Sequence, residues 1–166
     1  MNPRRAQDLE LVGRLDALLA DDDADRARRY PGPSTHRQPV HTAYVPADRF
    51  SAGTPGQWAD AALRALDEHG PVPGFDESEH LKVRAKLARE PIEDLRIDFE
   101  DGYGIRPDEV EDAAAVSAAT ALAELISADA GSGVAPPFTG LRMKSLEPAV
   151  RRRGLGTLTL FLDTLL

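Results

Sequence analysis

At 166 residues, 42% of them apolar, the chain has material for one core of ordinary size or for a piece of a larger domain. A net charge of −8 argues against nucleic acid or an anionic membrane as partner, and the absence of cysteine excludes a disulfide framework and thiolate metal sites. No apolar run reaches membrane-spanning length and none follows the basic start at Arg4 and Arg5, so the expectation is a cytoplasmic protein without a secretory signal.

Leu11, Val12, Leu15, Leu18 and Leu19 recur at helical spacing and predict an amphipathic helix over about 4–20. Asp21, Asp22 and Asp23 oppose the negative end of the helix dipole and are expected to close it, with a short arginine-rich helix over 24–30 after them. The proline and glycine run at 31–35 is a break. Residues 1–37 thus read as a helical extension and linker, and 38–166 as the folded domain.

The β-branched and aromatic run at 40–45 predicts a strand stopped by Pro46. Thr54, Pro55 and Gln57 spell a capping box for a helix that buries Trp58, Ala62, Leu63 and Leu66 and ends at Gly70, with Trp58 as a core anchor. A second helix over 77–89 presents Leu81, Ala85 and Ala88 on one face and stops before Pro91.

Residues 94–104 organise the rest. Leu95, Ile97 and Phe99 alternate with Arg96, Asp98 and Glu100, which predicts a strand, and Asp101 then leads into a turn with Gly102 and Gly104. Pro107 opens an alanine-rich helix whose acidic first turn complements the helix dipole. After a loop over 130–137 comes a third strand at 138–144, with Leu141 and Met143 pointing one way and Gly140, Arg142 and Lys144 the other. A final helix from about 156 is expected to bury Leu158, Phe161, Leu162 and Leu165, with Arg151, Arg152 and Arg153 in a solvated turn before it.

Alternating strands and helices imply a parallel sheet with right-handed crossovers. Polar strand ends then belong at the mouth of a closed barrel, and the chain stops at Leu166 in mid-pattern. The fold expected is α/β: the front part of a parallel (β/α)8 TIM-type barrel with an N-terminal helical extension, truncated.

Three segments carry a family resemblance: His41-Thr-Ala-Tyr-Val-Pro46, Leu95-Arg-Ile-Asp-Phe-Glu-Asp101 and Gly140-Leu-Arg-Met-Lys-Ser145. Over about residues 38–166 the chain resembles the citrate lyase beta-chain and 2-keto-acid aldolase family of the HpcH/HpaI type, in an actinobacterial branch with Asp-Phe-Glu-Asp-Gly-Tyr-Gly. The resemblance implies a Mg²⁺- or Mn²⁺-dependent lyase that makes or breaks a carbon–carbon bond next to a 2-keto acid or an acyl-CoA thioester. Arg142 is then the catalytic residue, contacting the enolate oxygen or substrate carboxylate. Glu100, Asp101 and Lys144 lie at the substrate or behind the metal, and the direct metal ligands are expected beyond Leu166. Gly102-Tyr-Gly104 and Lys144 depart from the family pattern. The resemblance further implies a homo-oligomer when full length.

From the residues alone, Arg142 serves equally as an ion-pair partner of Asp98 or Glu100, and Asp98 with Arg96 reads as structural support. His41 reads as structural, and His36, His69 and His80 lack metal-ligand spacing. Two further readings stand beside the lyase: a phosphoenolpyruvate- or pyruvate-utilising enzyme of the same barrel group, and an inactive fragment whose exposed sheet edges self-associate.

Overall fold

The computed structural model describes residues 3–32, 36–128 and 135–166, with side chains of the first helix described from Glu10 onward. The expected breaks at 33–35 and 130–134 lie outside the described residues. The chain divides into two compact units, Met1–Gln38 and Pro39–Leu166.

The first unit holds one continuous helix, α1 (Pro3–Arg29), where two were expected. The helix continues through the aspartates: Asp23 pairs with Arg26 one turn on, and Asp25, just after the run, pairs with Arg28 and Arg29. Its Leu11, Val12, Leu15, Leu18 and Leu19 are all exposed.

The second unit runs β1 (Thr42–Pro46), a 3-10 turn (Ala47–Arg49), α2 (Thr54–His69), α3 (Glu77–Arg89), β2 (Asp94–Asp98), α4 (Asp108–Ala128), β3 (Phe138–Arg142) and α5 (Arg151–Leu165). The strands form one parallel sheet in the order β1-β2-β3. Register pairs Tyr44 with Arg96 and Arg96 with Gly140 in one row, then Pro46 with Asp98 and Asp98 with Arg142 in the last.

The core lies on one sheet face. Val45, Leu95, Ile97 and Phe99 pack with Ala115, Ala118, Ala119, Leu122 and Leu125 of α4 and with Phe161 of α5. The alanines recur at one-turn spacing, so α4 can lie close to the sheet. Phe161 meets Phe99 edge-on at 6.5 Å between ring centroids. The opposite face, reached by the alternate residues, carries Tyr44, Arg96, Asp98 and Arg142.

This arrangement corrects the expectation of a barrel front. Among the described residues the chain forms a small α/β domain of five α-helices and a three-stranded parallel sheet, and it does not resemble the opening of a (β/α)8 barrel. The sheet is open, with β1 and β3 as its edges, and β1 is joined to β2 by two helices that pack on each other. Barrel closure requires strand number, tilt and shear to agree. Those belong to a whole sheet, and the alternation within three strands does not encode them.

Several local expectations also shift. Gly53, not Thr54, is the N-cap of α2, and the Thr54 hydroxyl accepts the backbone N–H of Ser51 at 3.0 Å. Trp58 is 38% exposed, and Ala59 takes the buried position. On α3 the inward residues are Val83 and Leu87, and Leu81, Ala85 and Ala88 are exposed. That helix starts at a true capping box: Asp76 accepts from the Glu79 N–H, and Glu79 accepts from the Asp76 N–H, each at 2.9 Å. The arginine run at 151–153 is the first turn of α5.

Candidate functional site

The last residues of β2 and β3 lie side by side, so Asp98 and Arg142 open onto the same edge. Arg142 Nη1 is 3.5 Å from Asp98 Oδ2, and its Nη2 is 2.6 Å from both Glu100 Oε2 and Asp101 Oδ2. The Tyr44 ring lies 5.8 Å from the guanidinium carbon. The hydrogen bond to Asp101 is the first cause holding the Arg142 guanidinium above its ordinary pKa, with Glu100 and Asp98 adding charge attraction.

Asp98 shapes the loop as well as pairing with arginine. Its Oδ1 accepts the Glu100 N–H at 2.8 Å and its Oδ2 the Gly102 N–H at 2.9 Å. A Cβ on Gly102 would sit 2.8 Å from Asp98 Oδ2, so a side chain there would push the Asp98 carboxylate out of its place in the turn. Gly104 takes a φ of +79°, which L side chains rarely adopt. Between them Tyr103 turns inward, 5.6 Å from the Phe99 ring, and its hydroxyl donates to the Val110 carbonyl at 3.3 Å. The loop is thereby fixed to the core, and Glu100 and Asp101 are presented toward Arg142.

Lys144 goes elsewhere. β3 ends at Arg142, so the strand alternation that put Lys144 beside Arg142 no longer applies. Lys144 Nζ donates to the Phe99 carbonyl at 2.8 Å and to Glu111 Oε2 at 2.6 Å. Glu111 is fully buried, and its other oxygen accepts from Thr157 Oγ1 at 2.6 Å and lies 3.5 Å from Arg153 Nε. Arg153 also pairs with Asp112 and reaches Asp108 at 3.6 Å. Sequence reading missed Glu111, because an acid in the first turn of a helix is fully accounted for by the dipole. The signal that it does more is its placement on the buried stripe, four residues before Ala115.

A cleft of about 360 Å³ is lined by Glu100, Asp101, Ile105, Lys144, Ser145 and Glu147, and Arg142 reaches it only through its partners Glu100 and Asp101. Arg96 stays apart, paired with Asp94 at 2.9 Å over Gly140. His41 accepts the Glu93 N–H through Nε2 at 3.3 Å, a structural role. No group of three or more His, Asp or Glu side chains able to hold a metal ion occurs among the described residues.

No curated protein and no solved structure matches the chain. A family described as a domain of unknown function (DUF6986) matches residues 19–166, which take in both strands of the carboxylate–guanidinium edge and the buried Lys144–Glu111 pair, and the chain belongs to that family.

Proposed function

We propose that this edge binds the carboxylate of a 2-keto acid, or of a related acyl substrate, for carbon–carbon bond cleavage next to its carbonyl. The observation that carries the reading is the Arg142 guanidinium, fixed at the C-terminal end of β3 by Glu100 and Asp101 beside an open cleft. A guanidinium matches a carboxylate in two parallel hydrogen bonds. Asp101 is 80% exposed, so it is the partner a substrate carboxylate displaces, while Glu100 and Asp98 keep the guanidinium oriented. The Mg²⁺ or Mn²⁺ that the sequence resemblance implies has no complete ligand set in these residues: Glu100 and Asp101 are already spent on Arg142. They do not fit such an ion by themselves.

Calorimetric titration with pyruvate and oxaloacetate, followed by assays of pyruvate release from oxaloacetate and from 4-hydroxy-2-keto acids, tests the reading. Binding about ten- to a hundred-fold weaker in Arg142→Ala is expected. Failure of every 2-keto acid to bind the wild-type chain overturns it.

A further inference from the structure

Opposite the core, the sheet presents a polar face to water. Tyr44 is 53% exposed there, and the side chains of Arg96 and Arg142 are 37% and 36% exposed, although parallel strands are ordinarily covered on both faces. Arg96 is held from beneath. Its Nε donates to Asp94 Oδ2 at 3.0 Å, and Asp94, itself buried, accepts from the Thr42 hydroxyl at 2.9 Å. The N–H donors on Nη1 and Nη2, which make up the rest of the guanidinium fork, have no protein partner among the described residues.

Register sets Arg96 opposite Gly140, and Nη1 lies where a Cβ on Gly140 would point. The missing side chain lets the guanidinium cross onto β3, in the row next to the one that holds Arg142. Same-face rows of a parallel strand are about 6.6 Å apart. Two guanidiniums, each with a buried aspartate beneath it, thus stand within the span of one short dicarboxylate.

We propose that Arg96 binds a second carboxylate of the ligand, so that the site selects 2-keto acids with an acid group at the far end over those that end in a methyl group. The inference rests on the keto-acid reading of the Arg142 edge. The ligand lies along the open sheet face, with its 2-keto carboxylate on Arg142. Its distal carboxylate meets Nη1 and Nη2 of Arg96 end-on, in the two parallel hydrogen bonds a guanidinium gives to a carboxylate. Asp94 holds the guanidinium in that orientation before the ligand arrives, so little side-chain freedom is lost on binding.

Calorimetry on the 166-residue protein with shape-matched ligands tests this: oxaloacetate against 2-oxobutanoate, and 2-oxoglutarate against 2-oxopentanoate. The wild type is expected to bind at least one diacid about ten- to a hundred-fold more tightly than its monoacid, the range for a charge-assisted hydrogen bond. In Arg96→Gln the diacid should fall to the level of the monoacid. Gly140→Ala should do the same, because it keeps both charges but fills the place of Nη1, and it decides where Arg96→Gln does not fold. A role for Arg96 in the fold alone would lower the melting temperature of Arg96→Gln and leave the diacid preference intact. Equal binding of diacid and monoacid by the wild type, or a preference that survives in a folded variant, overturns the second-carboxylate role and leaves the keto-acid reading standing. No binding of any 2-keto acid removes both.

Discussion

Arg142 Nη2 lies 2.6 Å from Glu100 Oε2, although one side chain leaves the end of β3 and the other the loop after β2. The contact depends on parallel pairing that sets Asp98 opposite Arg142 in the last row of the sheet. It places one guanidinium among three carboxylates at a water-facing edge.

Arg142→Ala should weaken pyruvate binding by about ten- to a hundred-fold, the range for loss of a charge-assisted hydrogen bond. Asp101→Asn should act in the opposite direction. It removes the exposed carboxylate that competes for Nη2 and leaves Glu100 to orient the guanidinium. Calorimetry on the two variants checks both signs, and weaker binding in Asp101→Asn would show that Asp101 takes part in holding the ligand.

Glu111→Ala should be far more damaging to stability than any change at the exposed edge. Lys144 and Arg153 would keep their charges in a buried place without the carboxylate that offsets them. Removing one partner of a buried ion pair costs about 3–5 kcal/mol. Urea unfolding of the variant measures this, and a loss of under about 1 kcal/mol would be the value for a surface pair instead.

The parts of this fold legible in the sequence are those that repeat locally. The alternation at Leu95, Ile97 and Phe99 located the central strand and its buried face, and all three side chains are in the core. The meeting of Arg142 with Glu100 was legible because both sit at the ends of predicted parallel strands. Lys144 was assigned to the wrong side because the alternation was continued past the point where the strand stops. The Asp21–Asp23 run was read as a stop signal, although Arg26, which pairs with Asp23, is only a turn away. Closure into a barrel was inferred from element order, and nothing in three short strands specifies it.

Two glycines should respond to alanine in opposite ways. A Cβ on Gly140 meets only the far end of the Arg96 side chain, which can swing aside, so Gly140→Ala should be nearly neutral. A Cβ on Gly154 would lie 2.6 Å from the backbone carbonyl oxygen of Lys144, which cannot move without shifting the loop between β3 and α5. Gly154 lies within a helix, where alanine ordinarily stabilises by about 0.5–1 kcal/mol. Gly154→Ala should instead lower the melting temperature, and a raised one would mean that α5 packs less closely on that loop.

Glu93 should make the domain sensitive to acid. It is buried at the start of β2, where it accepts the Val40 N–H at 2.5 Å and the Lys86 ammonium at 2.8 Å, and its own N–H donates to His41. It thereby fastens the chain before β1, the end of α3 and β2 to one another. The Lys86 hydrogen bond first, and the Val40 N–H second, bring its pKa down from 4.5 to about 2. The unfolded chain therefore binds the extra proton at a higher pH than the folded one. The stabilisation is complete above about 4.5 and is lost as pH falls from there through about 2. Melting curves across that window should fall steeply for the wild type and less steeply for Glu93→Gln, which should also melt lower at neutral pH. Parallel curves for the two proteins would show that other carboxylates, not Glu93, set the acid limit.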